Sequence, residues 1–569
     1  MKYFIQRLIQ LIPVLGWLPR YKTDWLLPDM LAGLTLAAYA APVAMAYSTL
    51  AGLTPQTGIY CYIFGGIAYA LFASSRHLSI GPTAAISVMV ASVGGGMSAS
   101  DPATYPAIAG MTAAMVALFC LIAWFMRLGS FVNFISESTL LGFKAGAALS
   151  IASMQLPALF GINGGGDNTF ERLKIIFPQL LNANPVMILL GIASLSLLLI
   201  GERLLPGKPV ALFVVILTTG IVSFFGLTEY GIKVVGFIPS GLPSISLPSI
   251  RKEQIESILE LAFACFLLSY VESIAAARAL SAKHHYEINP RQEFLGLGAA
   301  NLVAAIWQGY PVAGGLSQSA VNESAGAKTP LSLIFASLTL LTVLFFITGM
   351  LSNLPTSVLA AIVLVAVAGF IKIQDFKRLR EISRLEFNVA LVAFIGVLLF
   401  GILKGVTVSA VASLLFLLRL IAKPHISVLG RIHGSTRFSD SVRHPTNERF
   451  PGLFLFRIEA PLLYFNVNNI NTKLLEAIHS ETTPVNLAVC DLSTSPYIDS
   501  AGAKMLQQLE EELELEGIRF RIAEAHSEVR DILRATGISR TLGGVSRHIS
   551  LADIVNEYEL EFKSNPKLP

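Results

Sequence analysis

Between about Pro28 and Leu420 the chain returns again and again to apolar runs near the ~20 residues that cross a bilayer, and beyond Leu420 its charge density rises sharply. Lipid offers the backbone no hydrogen-bond partner, so runs of this length must close their own bonds as helices. Fourteen segments are expected, at about 28–48, 57–73, 83–93, 107–126, 137–158, 186–202 and 209–227, then 257–280, 292–307, 316–325, 331–350, 355–371, 386–403 and 405–421. A composition of 54% hydrophobic and 14% charged residues with a mean hydropathy of +0.64 excludes a wholly soluble fold of this length.

Basic residues mark the orientation. Arg127, Arg203 with Lys208, Arg278 with Lys283 and Arg291, and the cluster from Lys372 to Arg384 all fall on one side if the N-terminus is cytoplasmic. The positive-inside rule then agrees with an even number of spans and places both termini in the cytoplasm of a multi-pass inner-membrane protein. Residues 1–24 read as an amphipathic segment on the membrane surface, because Gln6, Arg7 and Gln10 interrupt the apolar run that a secretory signal requires. A formal net charge of +4 carries no nucleic-acid signal, and the bilayer is the expected large partner.

The two sets of seven resemble each other at an offset of about 235 residues: T-P-Q-T-G-I-Y from Thr54 pairs with N-P-R-Q-E-F-L from Asn289. An offset holding an odd number of spans turns the second copy upside down, which is the inverted-repeat plan of secondary transporters. Each copy is then interrupted at the same place, by S-R-H-L-S-I-G-P-T-A-A-I-S (Ser75 to Ser87) and by G-Y-P-V-A-G-G-L-S-Q-S-A-V-N (Gly309 to Asn322). Proline and glycine break the helix there, so two half-helices are expected to start near Thr83 and Ser317 and face each other at the midplane. The segments H-L-S-I and Y-P-V before them read as short strands that pair with each other.

A helix start exposes unpaired N–H groups and behaves like roughly half a positive charge, so two of them suit a small anion. Thr83, Ala84, Ala85, Gly315, Ser317, Gln318 and Ser319 are the candidate contacts, by hydroxyl, amide and backbone N–H. Thr83 and Ser317 could equally cap their own helices. Glu272, with Ser273 beside it, is a carboxylate within a span; there it can carry a proton or be neutralised by a cation such as Na⁺, and the alternative is a structural ion pair with Arg278 or Arg76. Glu323 reads as a packing or gating residue and His77 as a partner for strand backbone. The dispersed Cys61, Cys120, Cys265 and Cys490 read as buried thiols. No nucleophile–base pair, phosphate loop or metal cluster is legible, so neither an enzyme nor a resident cofactor is expected, and Na⁺ enters only as a co-substrate.

D-M-L-A-G-L-T at Asp29, S-S-R-H-L-S-I-G-P-T-A-A from Ser74, V-E-S-I-A-A-A-R-A-L from Val271, the Gly309–Asn322 stretch and A-G-A-K-T-P-L from Ala325 together resemble the SulP sulfate-permease and anion-exchanger family over nearly the whole chain. The resemblance implies core and gate domains built from 7+7 inverted repeats, an elevator-like movement of the core, and anions bound between the third and tenth helices. It also implies a coupling carboxylate on the eighth, where Glu272 lies. Gln318 stands where many relatives carry arginine, and Val43 follows Pro42 where many carry glutamine; both departures bear on the substrate. The expected function is coupled uptake of sulfate or a related oxyanion. Bicarbonate or dicarboxylate transport and an uncoupled channel or exchanger are the alternatives, and a membrane-anchored regulatory scaffold is the alternative from another class.

Boundaries are expected at 25–425 for the transport domain, 426–449 for a polar linker and 450–562 for a small cytoplasmic α/β domain with strands L-F-L-F-R-I, L-L-Y-F-N, N-L-A-V-C-D-L and I-R-F-R-I-A. The tail resembles a STAS domain through Y-I-D-S-A-G-A. Ser500 occupies the position phosphorylated in stand-alone bacterial members, although N-capping of its helix after Asp499 is the plainer role. By the same analogy the tail supports a homodimer and its regulation.

Overall fold

The computed structural model describes residues 11–97, 104–128, 137–166, 168–205, 208–245, 254–537 and 546–564. Most of the expected N-terminal amphipathic helix, residues 1–10, lies outside the described residues; the first helical turn within them is Val14–Trp17. The chain divides into two compact units, Met1–Ser413 and Leu414–Pro569.

The first unit is helical. Its elements are α1 Leu26–Leu50, α2 Pro55–Phe72, β1 Ile80–Gly81, α3 Ala84–Met97, α4 Tyr105–Phe125, α5 Glu137–Phe160, α6 Thr169–Gln179, α7 Pro185–Leu204, α8 Val210–Phe224, α9 Ile255–Lys283, α10 Pro290–Ile306, β2 Ala313–Gly314, α11 Leu316–Ser324, α12 Leu331–Phe346, α13 Thr356–Ala368, α14 Ile373–Ile382, α15 Arg384–Phe400 and α16 Ile402–Ala422, which runs into the second unit. Every one of the fourteen expected spans coincides with a helix, seven in each half, leaving α6 and α14 over. These two are short helices at the same ordinal place in each half, where the sequence alone suggests loop. Asn168 caps the first by accepting from the Glu171 N–H at 3.0 Å, and α14 buries none of its residues.

The helices pack in two groups. In one, α10 lies against α2 and α4, α12 against α1 and α2, and α9 against α4; in the other, α5 lies against α13 and α15, and α7 against α8 and α13. The groups meet where α1 touches α8 and α13 and where α3 touches α5 and α13. Small residues let the second group close: a Cβ on Gly142 would collide with the Ala390 carbonyl, and one on Gly146 with Phe394 and Val397, so α5 rests on the backbone of α15 along that edge.

The second unit is a sheet in the order β4 (Phe438–Asp440), β3 (Ile426–Arg431), β5 (Leu453–Ile458), β6 (Leu487–Asp491), β7 (Arg519–Ala523) among the described residues. β5, β6 and β7 are parallel; β3 runs antiparallel to both of its neighbours. Both faces are covered, as a parallel sheet requires. Phe454 and Phe456 face α17 (Val467–His479) and α18 (Ser500–Leu515), while Leu453 and Leu455 join the core under α20 (Leu551–Ser564); α19 (Ser527–Ala535) packs with α18.

Two expectations are corrected here. The stretch 426–449 is no linker, since Ile426, Ser427 and Val428 pair with Ile458, Arg457 and Phe456 to give the sheet its antiparallel edge. L-L-Y-F-N is a turn with a single bridge between Leu462 and Ile498. Buried Asn466 holds it by accepting from the Leu463 N–H and donating to the carbonyls of Pro461 and Ile421, so polar side-chain bonds outweigh strand propensity.

Candidate functional site

The break in each half does form a strand followed by a helix start. β1 and β2 pair antiparallel, Ile80 opposite Gly314 and Gly81 opposite Ala313, one or two residues beyond the expected positions. A two-residue ladder cannot satisfy so much buried backbone, and polar side chains supply the remainder. Ser79 N–H donates to Ser319 Oγ at 2.8 Å, Ser319 Oγ donates to the Gly315 carbonyl at 2.7 Å, and Gly315 N–H returns to the Ser79 carbonyl at 3.2 Å. Asn322 Nδ2 donates to the His77 carbonyl at 3.1 Å. On the other flank Gly314 N–H donates to Ser273 Oγ at 2.8 Å, that hydroxyl donates to the Ser269 carbonyl at 2.5 Å, and Asn301 brackets Val312 through its N–H and its carbonyl. The crossing is thus tied to α9 and α10 as well as to itself.

Two buried carboxylates fix the chain on either side. Asp29 Oδ1 accepts from the N–H groups of Lys328 and Thr329 at 2.6 and 3.1 Å, and its Oδ2 from the hydroxyls of Thr329 and Tyr21 at 2.6 and 3.1 Å, anchoring the chain as it leaves α11. Glu293 does the same ahead of α3: its Oε1 accepts from Ser74 N–H, Ser75 N–H and Ser74 Oγ, and its Oε2 from the Tyr69 hydroxyl. Motif residues near Asp29 and in A-G-A-K-T-P-L therefore belong to one structural clasp. Glu293 shows no sign of its role in the sequence, because a Glu in the first turn of a helix is commonplace.

The helix starts themselves remain open. Intrahelical bonding begins with Ser87 N–H to the Thr83 carbonyl and Ser319 N–H to the Gly315 carbonyl, so the preceding N–H groups of α3 and α11 are the ones a helix leaves unpaired. Beside them Thr83 Oγ1 and Gln318 Oε1 are buried without a partner, and within the crossing Ser79 Oγ and Asn322 Oδ1 are as well. The Gln318 orientation is set by its other end, since Nε2 donates to the Pro82 carbonyl at 3.1 Å and a flip would oppose two acceptors. Ala84 and Ala85 are buried, Gly315 is half-buried and Ser317 is exposed, with the Tyr39 side chain of α1 approaching the Ser317 hydroxyl. Of the seven expected contact residues, Ser319 and Gly315 differ: the Ser319 hydroxyl and the Gly315 N–H are engaged inside the crossing, as is the hydroxyl of Ser273.

Glu272 lies deep among the helices yet keeps part of its surface accessible, the condition of a side chain on a cavity wall. The Lys144 ammonium of α5 lies within electrostatic reach, and the Thr83 hydroxyl stands alongside without closing a hydrogen bond. Arg76, which the sequence offered as an ion-pair partner, instead stacks 5.3 Å over the Tyr286 ring. Sequence reasoning misses Lys144, although a lone cation inside an apolar span is as costly as a lone carboxylate and carries the same signal. Apart from these side chains, the two helix ends bring about one positive unit between them.

At the far end of α11, Glu323 pairs with Lys283 at 2.9 Å and with His284 at 2.7 Å, while His284 stacks on His77 at 4.4 Å. The His77 ring is 3.3 Å from the Tyr286 hydroxyl, and its backbone carbonyl, rather than its ring, meets Asn322. The four cysteines are free and buried. In the second unit the N-cap of α18 is Asp499, whose carboxylate accepts from the N–H groups of Gly502 and Tyr464, both at 2.8 Å. Ser500 is one residue too late to cap and sits exposed as the first residue of the helix.

A sequence profile described as the Sulfate permease family matches residues 26–393, and one described as the STAS domain matches residues 444–552. Among curated relatives, "Probable sulfate transporter Rv1739c" of Mycobacterium tuberculosis is 33% identical over 534 residues, covering 93% of this chain and 95% of that protein. "Sulfate transporter 4.1, chloroplastic" of Arabidopsis thaliana is 29% identical over 552 residues, covering 94% and 80%. In fold, the chain is similar to SLC26A9, with a TM-score of 0.88 at 22% identity over 100% of this chain and 95% of the other. It is also similar to the transmembrane domain of a cyanobacterium bicarbonate transporter, BicA, with a TM-score of 0.59 at 23% identity over 69% of this chain and 98% of the other.

Proposed function

Because the chain belongs to the sulfate permease family and carries a STAS domain behind its membrane helices, we propose that it is a secondary transporter of small oxyanions, sulfate foremost, driven by H⁺ or Na⁺. The observation that carries this reading is the meeting of two open helix starts beside Glu272, with Thr83 Oγ1 and Gln318 Oε1 buried and unpartnered between them. Thr83, Ala84, Ala85, Ser317 and Gln318 would replace the hydration shell of the anion with hydroxyl, amide and backbone donors, while Gly315, its N–H committed to the Ser79 carbonyl, would shape the approach to them. Ser319 and Ser273 would hold that frame in place.

Glu272 supplies the coupling. While ionised it opposes an anion a few ångströms away, and a proton or Na⁺ on the carboxylate removes that repulsion. The two helix groups suit alternating access, the α1–α4 and α9–α12 group moving as the elevator against the α5–α8 and α13–α16 group, in a 7+7 inverted-repeat frame. The protein would sit in the inner membrane as a homodimer with its STAS domain cytoplasmic, and Ser500, exposed at a helix start, would be open to modification.

One observation favours bicarbonate as the cargo. Gln318 Oε1 is an acceptor without a donor, and hydrogencarbonate brings an O–H where sulfate at neutral pH brings none. Uptake of labelled sulfate into proteoliposomes, competed by unlabelled bicarbonate, dicarboxylates and chloride with and without a sodium gradient, separates these cargoes. Glu272→Gln should abolish accumulation driven by the pH or sodium gradient while leaving exchange; accumulation that still follows the gradient refutes the coupling role.

A further inference from the structure

Lys144 occupies a place that a structural lysine would not choose. On α5, Gly142 and Gly146 face the backbone of α15, and Lys144 lies about 200° around the helix from Gly142, on the side turned away from that contact. Its neighbours Phe143 and Ala145 are buried, and Lys144 is only half-buried. α5 packs against α3, the half-helix that starts at the site. Lys144 closes no hydrogen bond or ion pair among the described residues, and it lies within electrostatic reach of Glu272 on α9, which packs against the other side of α3. An unpaired ammonium in a span is expensive, and one that faces a carboxylate without touching it leaves room for a third group between them. The other ionisable groups coupled to this region are Tyr39 and Tyr47 of α1, Glu202 of α7, and, through those tyrosines, Tyr62 of α2 and Tyr310 ahead of β2.

We propose that Lys144 is the fixed positive charge of the anion site: it faces Glu272 while the site is empty and turns to the anion when Glu272 carries a proton or Na⁺. This rests on the anion-site reading above and adds a contact from the helix group opposite the half-helices. The site would then need both groups in register, so the cation that neutralises Glu272 and the anion that claims Lys144 load together. Gln318, which brings no charge, is compensated by a lysine from the facing group.

The test uses the full-length chain in lipid nanodiscs and follows its melting temperature as sulfate, hydrogencarbonate or chloride is titrated in, at two pH values and with or without sodium. The anion with the largest effect on the unmodified chain becomes the probe. Lys144→Met should stay monodisperse and melt normally without anion, yet bind the probe at least tenfold more weakly, about 1.4 kcal/mol; Lys144→Arg should retain binding. Glu272→Gln should tighten binding and remove its pH and sodium dependence, by a smaller factor when Lys144 is absent. If Met at this position fails to fold, Lys144→Gln takes its place. Binding within twofold of the unmodified chain in Lys144→Met, or an equal effect of Glu272→Gln with and without Lys144, overturns the proposal and leaves the anion site standing. If no anion shifts the unmodified chain, the site reading falls and Lys144 with it.

Discussion

Ser319 separates two roles that the sequence could not distinguish. As an anion contact its hydroxyl would matter only in the loaded protein; as a tie in the crossing it matters always. Ser319→Ala leaves the buried Ser79 N–H, now 2.8 Å from Ser319 Oγ, without a partner, and a buried donor left unsatisfied costs about 1–3 kcal/mol. The Gly315 carbonyl loses the Ser319 hydroxyl but keeps the Ser319 N–H at 3.0 Å, so it adds little. Losing one oxygen atom opens no cavity worth counting, and the total stays near the middle of that range, about 2 kcal/mol. The exposed Ser324 on the same helix, whose hydroxyl only returns to the Val321 carbonyl, is the control and should stay within about 0.5 kcal/mol. Thermal or denaturant melts of anion-free protein in detergent measure both. A Ser319→Ala chain as stable as its parent without anion, but no longer stabilised by it, would show that the hydroxyl belongs to the cargo and that the tie is dispensable.

The clasp at Asp29 should respond to chemistry more than to charge. Asp29→Ala strands the N–H groups of Lys328 and Thr329 and should cost roughly 2–6 kcal/mol, whereas Asp29→Asn keeps one oxygen for them and meets two hydroxyls that can reverse, so it should cost about 1 kcal/mol or less; equal melting temperatures for the two variants would contradict this. In the second unit, Arg431 at 2.7 Å holds the Glu448 carboxyl below its usual range, with His433 helping, and the Ser550 hydroxyl and N–H hold Asp553 low in the same way. Depressed carboxyls contribute stability that is present above about pH 4 and is lost as the pH falls from there through their lowered values. Protection from amide exchange in β3 and α20, taken relative to the intrinsic rate at each pH, should therefore be high at about pH 6 and fall below about pH 4, less steeply in Glu448→Gln; an unchanged acid response in that variant rules the link out.

One physical divide separates the features that the sequence disclosed from those it hid. The spans were legible because lipid imposes a length and a composition, and the breaks were legible because Pro311, Gly314, Gly315 and Pro82 cannot continue a helix. Those are constraints on the backbone alone. Hidden were the partners: that Ser319 and Ser273 serve strands, that Asp29 and Glu293 clasp chain remote from them, and that Lys144 comes within electrostatic reach of Glu272. A hydroxyl at a helix start has the same appearance in sequence whether it awaits an anion or an N–H across the crossing, and only the register of β1 against β2 decides. The same holds for Asn466, which makes a turn of an apolar stretch by reaching backbone outside its own segment. Of the buried polar atoms around the crossing that stay unpartnered, Thr83 Oγ1, Gln318 Oε1, Ser79 Oγ and Asn322 Oδ1, the first two lie beside the first N–H groups of α3 and α11, and that coincidence is better evidence for a binding site than the residue types that first suggested one, because a buried polar group without a partner in a finished fold calls for an explanation.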